Sequence, residues 1–331
     1  MHHEAILYSL DKKIPFSQIS DISEYDITKY SKLEEWMREN NVWAMTDSGW
    51  DFHFKLLPIR PRVHIIYYLG DLSLLNKKII GIVGPRMMSL YGKQVMERVF
   101  DEMTGYDIVT ISGMADGVDQ LCHTLSSKQN IPTIAVLGWG IGRYLKRPER
   151  TIIEKIIAAG GLVISEYKLG EQPTKYTFPQ RNRLIAWLAD MVFLPEAGEK
   201  SWSLITVDAA LAMKKPVYAT PGSIFSPTSV GILRRIEKWD VKPIIDLAKF
   251  FNDHFISKNI SPRISSTYIL TEQEQWLLRA LSHDQGTHIQ DIAIATWWVL
   301  EESISLITML EIKGLVSQYE PGKYILNNLS S

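Results

Sequence analysis

The chain has 331 residues, with 36 Lys and Arg against 37 Asp and Glu, and 46% of it is hydrophobic. This composition excludes global disorder, and the near-zero net charge excludes a uniformly basic surface, so any basic patch that meets nucleic acid has to be local. The single cysteine, Cys122, excludes an intrachain disulfide and a multi-cysteine zinc site; with no signal peptide and no apolar run long enough to span a bilayer, a reducing cytoplasm is expected.

The length suits two or three domains. Residues 1–60 read as a mainly helical extension, with an amphipathic helix over Ser31–Asn40 that Ser31 caps and Glu34 completes as a capping box. From residue 61 to 256 apolar runs and helical patterns alternate. The runs are Val63–Leu69, Ile79–Val83, Ile108–Ile111, Thr133–Leu137, Leu162–Ile164, Met191–Leu194 and Pro216–Ala219. The helical patterns are Tyr91–Thr104, Val118–Asn130, Pro148–Ala159, Gln180–Ala189 and Ser203–Met213. A repeat of about one strand-helix unit predicts an α/β domain, a Rossmann-like parallel sheet with helices on both faces. Residues 227–240 and 246–256 add two helices, and residues 257–267, with Pro262 and four serines, read as a linker.

Residues 268–331 differ in pattern. Thr271 caps a helix that runs to Leu281, with Glu274 closing a capping box; further helices follow over Ile289–Ala295 and Leu300–Lys313, the last ended by Gly314. A hairpin turns at Pro321-Gly322. Three helices and a hairpin predict a winged helix. Its would-be recognition helix carries Glu301, Glu302 and Glu311 and no base before Lys313. Acids there repel phosphate, so a protein-binding or regulatory role is favoured over duplex reading.

The chemistry gathers after the strand ends. Gly84-Pro85-Arg86 follows one strand and precedes a helix; main-chain amides there can donate to phosphate oxygens, and Arg86 adds a fork of donors. Ser112-Gly113-Met114-Ala115-Asp116-Gly117 repeats the arrangement on the next strand, its small residues letting backbone approach a ligand. Each turn alone also reads as a packing device; two at neighbouring strand ends point to a phosphate cleft. The most specific stretch is Lys175-Tyr176-Thr177-Phe178-Pro179-Gln180-Arg181-Asn182-Arg183. Here Phe178 offers a stacking face, Lys175, Arg181 and Arg183 offer cations for phosphates, and Asn182 bonds either ligand or loop backbone. Two arginines at a helix start oppose the helix dipole, a cost that an anionic ligand offsets. Glu196-Ala197-Gly198 and Ser201–Thr206 close the cleft from the next strand end. Glu196 is the candidate base of an enzyme reading, but no His, Cys or second carboxylate stands at a spacing that completes a catalytic set, and His123 reads as a surface or packed residue rather than a catalyst. No metal-ligand pattern is present, and no cofactor is expected.

In order, these motifs resemble the DprA/Smf family of DNA-processing proteins. The resemblance rests on Val83-Gly84-Pro85-Arg86, Ser112 to Asp119, Thr133 to Gly138, Ser165-Glu166, Phe178 to Arg183, Glu196-Ala197 with Ser203 and Thr206, and Val217 to Gly222. It covers roughly residues 60–250 and the winged helix. It implies an extended Rossmann-like domain that binds single-stranded DNA, forms a homodimer and delivers the strand to a RecA-type recombinase in natural transformation. It implies no catalysis. By motif, Arg86, Lys175, Phe178 and Arg181 fall where the family's single-strand pocket lies. The chain departs from the family at Asp116, where a basic residue is usual, and at Gly231–Ile236, which lacks the usual asparagine. Two other readings stay open: a sensor or hydrolase of small nucleotides in the same cleft, and a duplex-binding regulator acting through the winged helix. A paralogue serving a mobile element or a defence system also fits.

Overall fold

The computed structural model describes residues 34–47, 53–257, 271–281, 286–296, 298–313 and 315–326. The cap expected at Ser31, the serine-rich stretch after residue 257 and the helix-ending Gly314 lie outside them. The chain divides into two compact units, 1–258 and 259–331.

The first unit is built on a nine-stranded sheet. In chain order its elements are β1 Trp43–Thr46, β2 Ile65–Gly70, β3 Ile79–Ile82, α1 Leu90–Met103, β4 Val109–Ser112, α2 Val118–Lys128, β5 Thr133–Val136, α3 Arg150–Ala158 and β6 Leu162–Ser165. Then come α4 Thr177–Leu188, β7 Met191–Leu194, α5 Ser203–Ala212, β8 Val217–Ala219, α6 Val230–Glu237, β9 Lys242–Pro243 and α7 Leu247–His254. The strand order is β1-β2-β6-β5-β4-β3-β7-β8-β9. From β6 to β9 every pairing is parallel, whereas β2 runs antiparallel to β6 and β1 antiparallel to β2. The sheet is thus parallel over the expected alternation and finished at one edge by an antiparallel hairpin. Strand β1 has no apolar run to announce it; Trp43 is exposed and only its three following residues are buried.

Burial on both faces explains why the central strands read as continuous apolar runs. Alternate residues enter opposite layers. Ile79, Val109, Ile111, Ile134 and Val192 pack with Leu184, Ile185 and Leu188 of α4 and Val207 and Ala210 of α5. Ile80, Ile82, Met191 and Phe193 pack the other way against Met96, Val99 and Phe100 of α1, Cys122 of α2 and Phe250 and Phe251 of α7. Under α3 that second layer continues with Ala135, Val163, Ile153, Ile156 and Tyr67. Cys122 is fully buried, and burial raises its thiol pKa, which leaves it an inert packing residue.

The second unit consists of α8 Glu272–Ala280, β10 Thr287–His288, α9 Ile289–Thr296, α10 Leu300–Ile312, β11 Val316–Glu320 and β12 Lys323–Leu326. The expected capping box forms: Thr271 accepts from the Glu274 amide, and Glu274 accepts from the Thr271 amide. Leu277, Ile292, Ile307 and Leu310 make its core, and the small sheet has the order β10-β12-β11. This is a winged helix, with Glu301, Glu302 and Glu311 exposed on α10. Among the described residues no single helix is long and apolar enough to cross a membrane.

Candidate functional site

Strand β3 is the switch point of the sheet. The chain steps outward from β3 through β4 and β5 to β6, then returns to β3's other side as β7. At such a reversal the loops after neighbouring strands diverge and leave a crevice at the strands' carboxyl ends. A cleft of about 450 Å³ lies there. Its walls are the turn after β3 (Gly84 to Met87), Ala115 and Asp119 after β4, Phe178, Arg181 and Asn182 of α4, and Lys200 to Ser203 with Thr206 at the start of α5.

The glycine turns are packed for close approach. A Cβ on Gly84 would fall on Val118, and one on Gly117 (φ +82°) on the carbonyls of Pro85 and Arg86. The two turns therefore interlock, and only glycine fits either position. A Cβ on Gly113 would strike the Asp119 carboxylate and the Arg181 guanidinium. Ser112 is fully buried and its hydroxyl donates to the Ile82 carbonyl at 2.6 Å, tying the end of β4 to β3. Ser112, Gly113 and Gly117 thus shape the cleft from behind without lining it, while Gly84 does line it.

The basic residues divide into two groups. Arg86 is exposed, and its guanidinium sits 5.5 Å from the centroid of the Phe178 ring. Gly138, at the end of β5, lets that ring close in, since a Cβ there would lie 3.1 Å from it. Lys175 is also exposed, with its ammonium 5.0 Å from the Tyr176 ring, but it stands outside the cleft wall. Arg181 and Arg183, by contrast, are turned inward. Arg181 is 2% exposed, donates to the Val136 carbonyl and to Asn182 Oδ1, and has its guanidinium 4.0 Å from Asp119. Burial raises the Asp119 carboxyl above its ordinary range, and the Arg181 charge and the Ala115 amide oppose that rise. Burial likewise lowers Arg181, with Asp119 opposing. Arg183 pairs with Glu166, and its Nε and Nη1 are buried without a partner. The two arginines of the most specific stretch therefore reach the protein's own carboxylates, and Asn182 bonds Arg181.

Glu196, the candidate base, is 1% exposed. Its two oxygens accept from the Ser89 amide and hydroxyl, each at 2.6 Å, and Gly92 leaves it room beside the first turn of α1. A carboxylate so placed stabilises a helix N-terminus, and Glu196 is not among the residues that line the cleft. Among the described residues no group of three or more His, Cys, Asp or Glu is placed to hold a metal.

Lys200 lies between the two stretches that the sequence assigns to the cleft, and Trp202 lies within the second, Ser201–Thr206. Both are exposed at the cleft mouth, Trp202 at 67%, and among the described residues Lys200 forms no ion pair. Their signal lay in the motif spacing: a turn after β7 faces the turn after β3 only because β7 pairs with β3.

Of the surface and packed alternatives, His123 takes the packed one: it is fully buried and fixes the second glycine turn. Its Nε2 donates to the Gly113 carbonyl at 2.6 Å, and in the neutral ring its Nδ1 accepts from Thr133 Oγ1 at 2.9 Å. Burial first, and Arg181 second, push its pKa down from 6.5 to about 4, against the opposing Gly113 carbonyl. With the folded value depressed, this contribution is whole above pH 6.5 and is lost as pH falls towards 4. Native protein should therefore lose about 2 kcal/mol through this group between pH 7 and pH 5. Asp119 and Glu166, both raised mainly by burial, pull the opposite way. Urea melts of wild type and His123→Gln at both pH values isolate the histidine: equal pH slopes in the two proteins would refute its role.

The sequence model of the family described as DNA recombination-mediator protein A matches residues 41–253. The DNA processing protein DprA of Bacillus subtilis is 33% identical over 215 residues, which is 63% of this chain and 72% of that protein. DprA of Streptococcus pneumoniae is 36% identical over 174 residues, 53% of this chain and 61% of that protein. The X-ray structure of the S. pneumoniae protein superposes with a TM-score of 0.60 at 28% identity, covering 77% of this chain and 92% of that one. DNA processing protein A of Helicobacter pylori, whose structure describes a single-stranded DNA binding mode, superposes with a TM-score of 0.56 at 26% identity over 64% of this chain and 94% of that one. Motif order, sheet topology and these matches agree: the chain belongs to the DprA/Smf family of DNA recombination-mediator proteins.

Proposed function

We propose that the first unit binds single-stranded DNA in the cleft beside β3 and that the protein acts as a recombination mediator without catalysing a reaction. One observation carries this reading: an exposed arginine, Arg86, held 5.5 Å from an aromatic ring, Phe178, on the wall of a crevice at the sheet's switch point. A cation beside a stacking face is the chemistry that grips a phosphate and a base together. Lys175 and Lys200 extend the cationic track outside and at the mouth of the cleft. The relative from H. pylori, described for its single-stranded DNA binding, supports the ligand class. With a formal net charge of −1, attraction is confined to this track, which favours a thin flexible strand over a broad duplex surface.

By the same reading, the strand passes to a RecA-type recombinase in the cytoplasm, with the protein as a homodimer and the winged helix joined to the α/β domain by a linker over residues 257–267. The acidic α10 gives the winged helix a protein-facing role in place of duplex reading. The test is a titration of labelled oligo-dT at several salt concentrations, with matched duplex as competitor. Binding should resist duplex, and log K should fall against log salt with a slope of about −0.7 per phosphate contacted. Displacement by duplex at equal concentration, or no salt dependence, would defeat the proposal.

A further inference from the structure

The second unit carries a surface of its own, separate from the cleft. In a winged helix, α9 and α10 form the helix-turn-helix, and α10 is the helix that would enter a duplex groove. Here the two helices carry Asp291, Glu301, Glu302 and Glu311, all exposed, and no Lys or Arg. Among the described residues the unit's three bases of those types stand elsewhere and are engaged. Lys313 pairs with Glu274, Lys323 on the wing pairs with Glu320, and the Arg279 guanidinium of α8 lies 5.8 Å from the Trp276 ring centroid.

The same face is apolar as well as acidic. Six large hydrophobic side chains are exposed among the described residues of this unit, and five of them, Ile294, Val299, Leu300, Ile304 and Met309, lie on α9, on α10 or between them. Scattered singly, such residues are ordinary; gathered on one motif, they mark an interaction surface. Leu300, Ile304 and Thr308 are exposed at four-residue spacing and so form one ridge along α10. Glu301 flanks the ridge, and Glu311 continues it seven residues after Ile304. The unit's own core takes the other side of α10, through Ile307 and Leu310.

We infer that the α9–α10 face docks a basic amphipathic helix of a partner protein, whose apolar side chains pack on the Leu300–Ile304 ridge while its lysines and arginines meet the surrounding acids. Charge selects this occupant. Acids without a base repel the phosphates of a duplex and of an anionic membrane, and a second copy of this face would set acid against acid. Ridge geometry selects a helix, since a row of side chains at four-residue spacing packs into the groove between matching rows of another helix. The inference rests on the protein-facing reading of the winged helix and is independent of the reading of the cleft.

The test measures, by fluorescence anisotropy, binding of the full chain to a labelled peptide of leucine and lysine patterned as an amphipathic helix of about four turns. Its comparators are a scrambled isomer of the same composition, an analogue with glutamate for lysine, and a duplex oligonucleotide. The proteins are wild type, Leu300→Gln, Ile304→Gln and the double variant Glu301→Gln with Glu302→Gln. Leu300 and Ile304 are exposed and glutamine is a good helix former, so melting temperatures should stay near wild type. Wild type should bind the patterned peptide at least about tenfold tighter than either other peptide. Ile304→Gln should weaken it about tenfold, the loss of one buried aliphatic contact. The double glutamine variant should weaken it about threefold and flatten its salt dependence. Equal binding of patterned and scrambled peptides overturns the inference, as does no binding of the patterned peptide, or unchanged affinity in both Leu300→Gln and Ile304→Gln. Duplex bound by wild type and lost in those two variants overturns the protein-facing reading as well; without that result the reading survives a failed inference. Should one variant not fold, the other and the wild-type comparison of peptides decide.

Discussion

Arg181→Ala is expected to lower folding stability by about 3–5 kcal/mol, the effect of removing one partner from a buried charge pair. The side chain is 2% exposed and its guanidinium joins three structures: the end of β5 through the Val136 carbonyl, α4 through Asn182, and the second glycine turn through Asp119. Without it, Asp119 stays buried with no cation beside its carboxylate, and the Ala115 amide at 3.4 Å and the Ser112 hydroxyl are left to stabilise it. Its carboxyl, already raised by burial, would then be protonated or drag water into the core. The double replacement Asp119→Leu with Arg181→Met removes both charges and should recover at least half the loss. Equilibrium urea unfolding reads both outcomes. A change below about 1 kcal/mol in the alanine variant would return Arg181 to the ligand-binding group.

The second large effect is on binding. Phe178→Ala should weaken oligo-dT by about 1–3 kcal/mol, the usual loss of one base-aromatic stack. Arg86→Ala should weaken binding and also flatten the salt dependence by about 0.7, one phosphate contact. The two residues touch, with 5.5 Å between guanidinium and ring, so their effects are coupled. The double variant should lose less than the sum of the singles. Neither side chain is in the core, so melting temperatures should stay near wild type. Full affinity in both single variants would remove this wall from the interface and shift the strand to the Lys175 and Lys200 side.

What could be read from the sequence was what short-range chemistry enforces. Apolar runs with a strand-helix spacing announced β3 to β8, because strands buried on both faces have no alternation to hide them. Glycine positions announced the turns, since a Cβ at Gly84, Gly113 or Gly117 meets neighbouring atoms. The capping box at Thr271 and Glu274 is local for the same reason. Edge strands were less legible. Strand β1 is four residues with Trp43 exposed, and β9 is two residues, so both are defined by their neighbours more than by their own composition.

The candidate site was legible as a set of motifs and illegible as a set of roles. Sequence placed Arg86, Arg181 and Arg183 together as phosphate-facing cations. Only the packed structure separates them, because burial depends on which helix face meets the sheet: Arg181 falls among Leu184, Ile185 and Leu188 on the inward side of α4, whereas Arg86 sits on an exposed turn. Glu196 likewise became a cap for α1 once β7 was laid beside β3, and the same pairing brought Lys200 and Thr206 into the cleft. The sequence by itself therefore determined the family, the α/β alternation and the glycine turns, all set by neighbours along the chain. Which cations face solvent and which carboxylate caps a helix were decided by the tertiary structure, because each depends on residues brought together across the sheet.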